Sequence, residues 1–169
     1  LLVGGGAVPE LNQISLEEDL RELSLLLGNR VAQSLFGGGS ASRAVQVLQP
    51  GSPSDLLRAE LGMFFAPRGG RDSTYRAARS GIDGPATRER VLRELEILVK
   101  EGKGLPSVYV ATHGEKGDTS AHNRILLWGD GGLTVSELAG RMDAIPGEKP
   151  LRAVVTACYS GGFADWVFK

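Results

Sequence analysis

Cys158 and His113 each close an apolar, β-branched run of strand length. Val108-Tyr109-Val110-Ala111-Thr112 leads into His113-Gly114, and Ala153-Val154-Val155-Thr156-Ala157 leads into Cys158-Tyr159-Ser160-Gly161-Gly162. Cys158 is the only cysteine of the chain, and His113 is one of two histidines. A thiol acts as a nucleophile in its thiolate form, and a neighbouring imidazole both favours that form and carries the proton. Taken singly, a cysteine ending a strand reads as a small buried hydrophobe, and a histidine there as a hydrogen-bonded strand end. Their shared placement shifts the balance, because reactive side chains at the carboxyl ends of parallel strands lie where open α/β sheets build their sites. Gly114 adds to it, since glycine lets a carbonyl approach a backbone N–H that can face a developing oxyanion. The second histidine, His122, lies in a polar turn and reads as solvent-exposed.

The elements that must position this pair alternate helix and strand. Leu1–Val3 reads as a strand closed by Gly4–Gly6. Ser15-Leu16-Glu17-Glu18 has the form of a capping box, and Leu16, Leu20, Leu23 and Leu27 continue at helical spacing to Gly28. Ser34–Phe36 reads as a short second strand. Residues 37–85 are rich in Gly, Ser, Pro and Arg and carry little pattern; Pro53 is placed to open a short helix, and Arg68–Asp72 reads as an exposed loop. After Gly84-Pro85, Val91, Leu95, Leu98 and Val99 mark a second helix ending at Gly102. Ser107–Thr112 is the strand before His113, and Arg124–Trp128 fits a β-hairpin. Thr134-Val135-Ser136-Glu137 is another capping box, for a helix toward Asp143, and Arg152–Ala157 is the last strand. A helix following Gly162 would bring its positive end toward the Cys158 sulfur. The alternation implies one α/β domain over residues 1–169, three-layered, with a mostly parallel sheet and right-handed crossovers.

The apolar strand before His-Gly and the second before Ala-Cys resemble the caspase–legumain clan of cysteine peptidases. His113 and Cys158 stand 45 positions apart, against roughly 50 in the caspase type. Cys158-Tyr159-Ser160-Gly161 is similar to the Cys-x-Ser-Gly pattern of legumains and metacaspases. The opening from Leu1 to Gly6 and from Asn12 to Glu17 resembles the first strand and helix of bacterial members. The resemblance implies a caspase-like fold and a cysteine endopeptidase acting on peptide or protein substrates, with no metal or organic cofactor. It implies Cys158 as nucleophile, His113 as general acid and base, and an oxyanion hole made by the N–H groups of Gly114 and Cys158. Thr156 falls at the position that lines the pocket for the residue before the cut, where the family commonly has Gln, Glu or Asp. Its short uncharged side chain departs from both the caspase preference for Asp and the metacaspase preference for Arg or Lys. Asn12 and Gln13 fall where further pocket residues stand, against the plain alternative of ordinary loop polars. The family continues with two more strands, so this chain matches the large-subunit portion, with a C-terminal segment or small subunit as partner. Two other readings stand beside the peptidase: a catalytically silent caspase-like binding or signalling scaffold, and a doubly wound small-molecule hydrolase using Cys158 differently.

Composition bounds these readings. At 169 residues the chain suits a single core, and 41% hydrophobic residues with a net charge of −1 are ordinary globular values. They give no footprint for nucleic acid or an anionic membrane. One cysteine excludes an internal disulfide and a multi-cysteine metal site, and no apolar run approaches a membrane span. Asp118, Asp130 and Asp143 lack calcium-loop spacing and read as a solvated face. Gly4-Gly5-Gly6 lacks the dinucleotide fingerprint, because Pro9 takes the place of its last glycine. Arg141 and Arg152 have no assigned role. The chain opens inside a strand without an initiator methionine, so both ends read as cut and no compartment is legible.

Overall fold

Leu2 and Val3 are neighbours in one strand yet belong to different hydrophobic clusters, which is how a sheet acquires two buried faces. The computed structural model describes residues 1–48, 73–79, 81–129, 131–145 and 150–167. In chain order its elements are β1 (Leu2–Gly5), α1 (Ile14–Leu27), β2 (Ser34–Phe36), β3 (Val45–Leu48), β4 (Ser73–Arg76), α2 (Arg88–Glu101), β5 (Ser107–Thr112), β6 (Gly114–Glu115), β7 (Arg124–Leu127), β8 (Gly131–Thr134), α3 (Val135–Asp143), β9 (Arg152–Val155) and α4 (Gly161–Val167). A four-stranded, wholly parallel sheet with the order β2-β1-β5-β9 forms the frame. Leu2, Phe36 and Ala111 on one face pack with Leu20 of α1. Val3, Leu35, Val108 and Val110 on the other pack with Val91 and Leu95 of α2, Leu138 of α3 and Phe163 of α4. The fold is therefore α/β, with helices on both sides of a parallel sheet.

The strands and helices expected from the pattern are present, with two differences. Ser15 does not cap α1: the helix starts at Ile14, after Gln13, whose side chain makes no capping bond. Glu17 is buried instead, paired with Arg76 and accepting the Arg79 N–H at 2.7 Å. Partners more than 50 residues away in sequence thus draw this turn inward. Residues 37–85 hold an unforeseen antiparallel strand pair, β3 with β4, in the register Val45↔Arg76 to Leu48↔Ser73. The expected helix at Pro53 and the loop Arg68–Asp72 lie outside the described residues, as does Asp130.

Local signals hold where the partners are local. Thr87 caps α2 by accepting the Arg90 N–H, and Gly102 ends it. Thr134 and Glu137 form the expected reciprocal capping box of α3. The Thr134 N–H bonded to the Glu137 carboxylate holds that carboxyl below its ordinary value. The Arg124–Trp128 segment supplies the centre of a small antiparallel sheet, β6-β7-β8. That sheet is tied to the frame by Trp128 N–H to Ala86 C=O and Gly129 N–H to Ala7 C=O, both 3.0 Å. Arg141, without a role from sequence, pairs with Glu96 at 2.7 Å and links α3 to α2.

Candidate active site

Parallel pairing makes His113 and Cys158 level. β5 and β9 run in register from Ser107↔Arg152 to Val110↔Val155. The Thr156 N–H closes the pair on Val110 C=O at 2.8 Å. His113 and Cys158 follow at equal distance along the chain from the last paired residues, Val110 and Val155. On its other side β5 pairs with β1, so that Gly5 stands opposite Thr112. The chain leaves β1 toward β2 on one side while β5 lies on the other, which makes this crevice the sheet's topological switch point. The His113 ring borders it: a Cβ at Gly6 would come within 3.4 Å of its Cδ2.

The backbones of the loops that carry His113 and Cys158 touch. A Cβ added to Gly114 would sit 2.0 Å from the Cys158 carbonyl oxygen and 3.2 Å from the Cys158 nitrogen. Gly114 has a φ outside the left-handed region, so its requirement for glycine is steric. The Leu126 N–H donates to His113 C=O at 2.8 Å, which makes Gly114 and Ile125 a non-hydrogen-bonded pair of the β6–β7 ladder. The Gly114 N–H consequently points away from β7, at the open edge of the small sheet.

Cys158 itself is exposed. It enters a tight turn in which the Ser160 N–H reaches Ala157 C=O at 3.2 Å, and α4 begins at Gly161. Tyr159, the next residue, has φ 60° and is the sole non-glycine residue with positive φ among the described residues. For a bulky aromatic residue this conformation costs on the order of 1–3 kcal/mol and persists where the surroundings over-determine it. An apolar cavity of about 310 Å³ lies between the sheet, at Val110 and Val155, and the helices, at Leu95, Leu138 and Phe163, and of this turn Ser160 reaches its wall.

Asn123 carried no signal in the sequence and proves to join the two loops. Its Oδ1 accepts the Gly117 N–H at 2.9 Å, and its Nδ2 donates to Tyr159 C=O at 3.0 Å. Nearby, a Cβ at Gly162 would meet Ser120 C=O at 2.5 Å. His122 is exposed, as expected, and bonds Asp118, whose carboxyl it holds below the ordinary value.

The expected pocket residues divide. Asn12 has no exposed surface, which removes it from any substrate pocket in this conformation. Its Oδ1 accepts the Gly6 N–H at 2.5 Å and its C=O accepts from Gln46, so it ties the end of β1 to β3. Side chains at Gly5 or Gly37 would collide with its amide at 2.6 Å, showing how tightly it plugs the strand ends. Gln13 is half-buried at the start of α1, and its C=O accepts from Leu16 and Glu17. Thr156 is exposed beside the Cys158 turn, with its hydroxyl donated to Val110 C=O at 3.2 Å.

No family model matches the chain, and no curated protein or solved structure matches it. Functional meaning therefore comes from the geometry alone. Among the described residues no group of three or more His, Cys, Asp or Glu is placed to hold a metal ion, and no helix is long and apolar enough to cross a membrane.

Proposed function

We propose that the protein is a cysteine endopeptidase of caspase-like fold, with Cys158 as nucleophile and His113 as general acid and base. The single observation behind this reading is the contact of the Gly114 and Cys158 backbones, which brings the histidine loop that borders the sheet's switch point against an exposed cysteine. The Cys158 sulfur adds to the scissile carbonyl carbon, and the C=O electron pair moves to oxygen. The N–H groups of Gly114 and Cys158 face that oxyanion, an arrangement that in hydrolases typically contributes several kcal/mol of transition-state stabilisation. The C–N bond then breaks, and His113 protonates the departing amine. Water, deprotonated by His113, cleaves the thioester and releases the acid and the thiol.

The same reading implies a further segment beside β9, as the family resemblance does. β9 lies at the edge of the described sheet, and Val154 is 48% exposed there. An apolar edge strand left open pairs readily with other chains. With Thr156 uncharged, any ionic partner for a substrate side chain would come from that segment, because a buried unpaired charge costs several kcal/mol.

The test is a peptide library together with a peptidyl thiol-reactive inhibitor read by intact mass. Cleavage, with a single adduct mapped to Cys158, is the expected result. Cys158→Ala should lower the rate at least ~10³-fold and His113→Ala comparably, since residues that act as a unit are not additive. A Cys158→Ala variant that still cleaves at near wild-type rate refutes the assignment. Peptide binding without turnover by the wild type would favour the scaffold reading.

A further inference from the structure

We infer that Asn123 is a positioning residue for Cys158: its amide holds the turn that sets the nucleophile against the His113 loop. The inference rests on the peptidase reading for its kinetic consequence, but not for its geometry.

Three observations converge on it. Tyr159 occupies a backbone conformation that bulky residues avoid, and it follows the nucleophile directly. Such a turn is retained only where its neighbours fix it. The Asn123 Nδ2–H donates to Tyr159 C=O at 3.0 Å, from a loop 36 positions away in sequence. The same amide accepts the Gly117 N–H at 2.9 Å, so one side chain spans both loops. Asn123 is itself anchored by its backbone: its N–H donates to Ser120 C=O at 3.2 Å, and its C=O accepts the Val135 N–H at 3.0 Å. The bridge thus runs from the start of α3 through Asn123 to the turn before α4. Gly162 lets the two segments approach, since any Cβ there would strike Ser120 C=O at 2.5 Å.

The two ends of the amide do different jobs, which makes the role separable. The acceptor end orders the Gly117 turn. The donor end holds the Tyr159 carbonyl, and with it the Tyr159–Ser160 peptide plane, one residue beyond Cys158. An aspartate keeps the acceptor, loses the donor and sets a carboxylate oxygen against the Tyr159 carbonyl. An alanine loses both. Neither change touches substrate, so binding should be largely spared while the reactive geometry is lost.

The experiment compares wild type, Asn123→Ala, Asn123→Asp and the surface control Lys116→Ala from the same loop. Peptide turnover, thermal melting and the pH-rate profile of Cys158 alkylation by iodoacetamide are measured for each. Both Asn123 variants should lose ~10- to 100-fold in kcat with KM changed less than about threefold. Their alkylation profiles should move by at least about threefold in rate, and Lys116→Ala should match wild type in all three readouts. An Asn123→Asp protein with wild-type kcat and alkylation profile overturns the inference. So does an alanine variant whose loss of rate is only a loss of folded protein, with normal kcat per folded molecule. If wild type cleaves no peptide, the peptidase reading fails by itself, and the alkylation profile alone decides the role of Asn123.

Discussion

Gly114→Ala adds one methyl group at the place where the two reactive loops meet. The added Cβ would lie 2.0 Å from the Cys158 carbonyl oxygen, a backbone atom that cannot rotate aside. The loops must separate by roughly 1 Å or more to restore an ordinary contact of 3.4 Å. Displacements of about 1 Å at a reacting centre cost ~10²-fold in rate, so kcat/KM should fall by about that factor or more. Stability should fall less sharply, by the ~1–3 kcal/mol of an overpacked site, or about 3–10 °C in melting temperature for a chain of this size. Because Gly114 has no positive φ, backbone strain adds nothing, and the effect reports the contact alone. Gly140→Ala is the matching control, since no atom lies within 4 Å of its added Cβ. That substitution in α3 should raise stability by about 0.5–1 kcal/mol through helix propensity and leave activity unchanged. The assay is turnover of a cleaved library peptide at 25 °C, with Cys158 alkylation and thermal melting measured on the same samples. A Gly114→Ala protein within threefold of wild type in turnover and alkylation would refute the contact on which the proposed function depends.

Three further outcomes are expected. Arg76→Met leaves the carboxylate of Glu17, 1% exposed, without its cationic partner, and urea titration should show a loss of about 3–5 kcal/mol. Arg124→Met, which breaks a pair with Glu115 that is half-exposed on both sides, should cost no more than ~1 kcal/mol in the same titration. Because the Thr134 N–H holds the folded Glu137 carboxyl below the ordinary glutamate value, its capping-box stabilisation is fully present above that ordinary value and is lost as pH falls through the folded value. The difference in urea midpoint between wild type and Glu137→Gln should therefore be constant at neutral pH and shrink toward zero in acid; a difference that grows in acid would contradict the assignment.

Legibility of the sequence followed the distance between partners. The strand before His113 reads from its own residues, Ser107–Thr112, because a buried parallel strand needs an unbroken β-branched run. The α3 capping box reads correctly because Thr134 and Glu137 are three residues apart. An equally good box at Ser15 fails because Glu17 inside it is drawn to Arg76 and Arg79, far along the chain, while Glu18, the residue that would close the box, pairs with Arg21 and Arg79. The β3–β4 pair escapes notice because the stretch between Phe36 and Gly84, dense in Gly, Ser and Arg, hides two short strands. The burial of Asn12 is illegible for a related reason: a loop asparagine after β1 looks available to ligand, and only the fold shows its Oδ1 accepting from Gly6 and its C=O from Gln46. Asn123 is the mirror case, ordinary in sequence and a bridge in space.

The site's construction explains why its two key residues are legible while their alignment is not. Strand patterns mark His113 and Cys158 as chain ends of β5 and β9, but adjacency comes from sheet order, which no local signal encodes. Between these strands the chain travels through β6, β7, β8 and α3 before it returns. The two loops it leaves behind interlock through absent side chains. Gly114 of the first loop admits the Cys158 carbonyl, and Gly162 after the second admits the Ser120 carbonyl. Each loop thus supplies the gap into which the other's backbone fits, and Asn123 adds a directional bond across them. On the proposed reading, Cys158 is located chiefly by exclusion. Added volume at Gly114 or Gly162 should therefore harm activity more than loss of the exposed polar groups around the site, such as Lys116 or the Asp118–His122 pair, whose removal leaves the interlock intact.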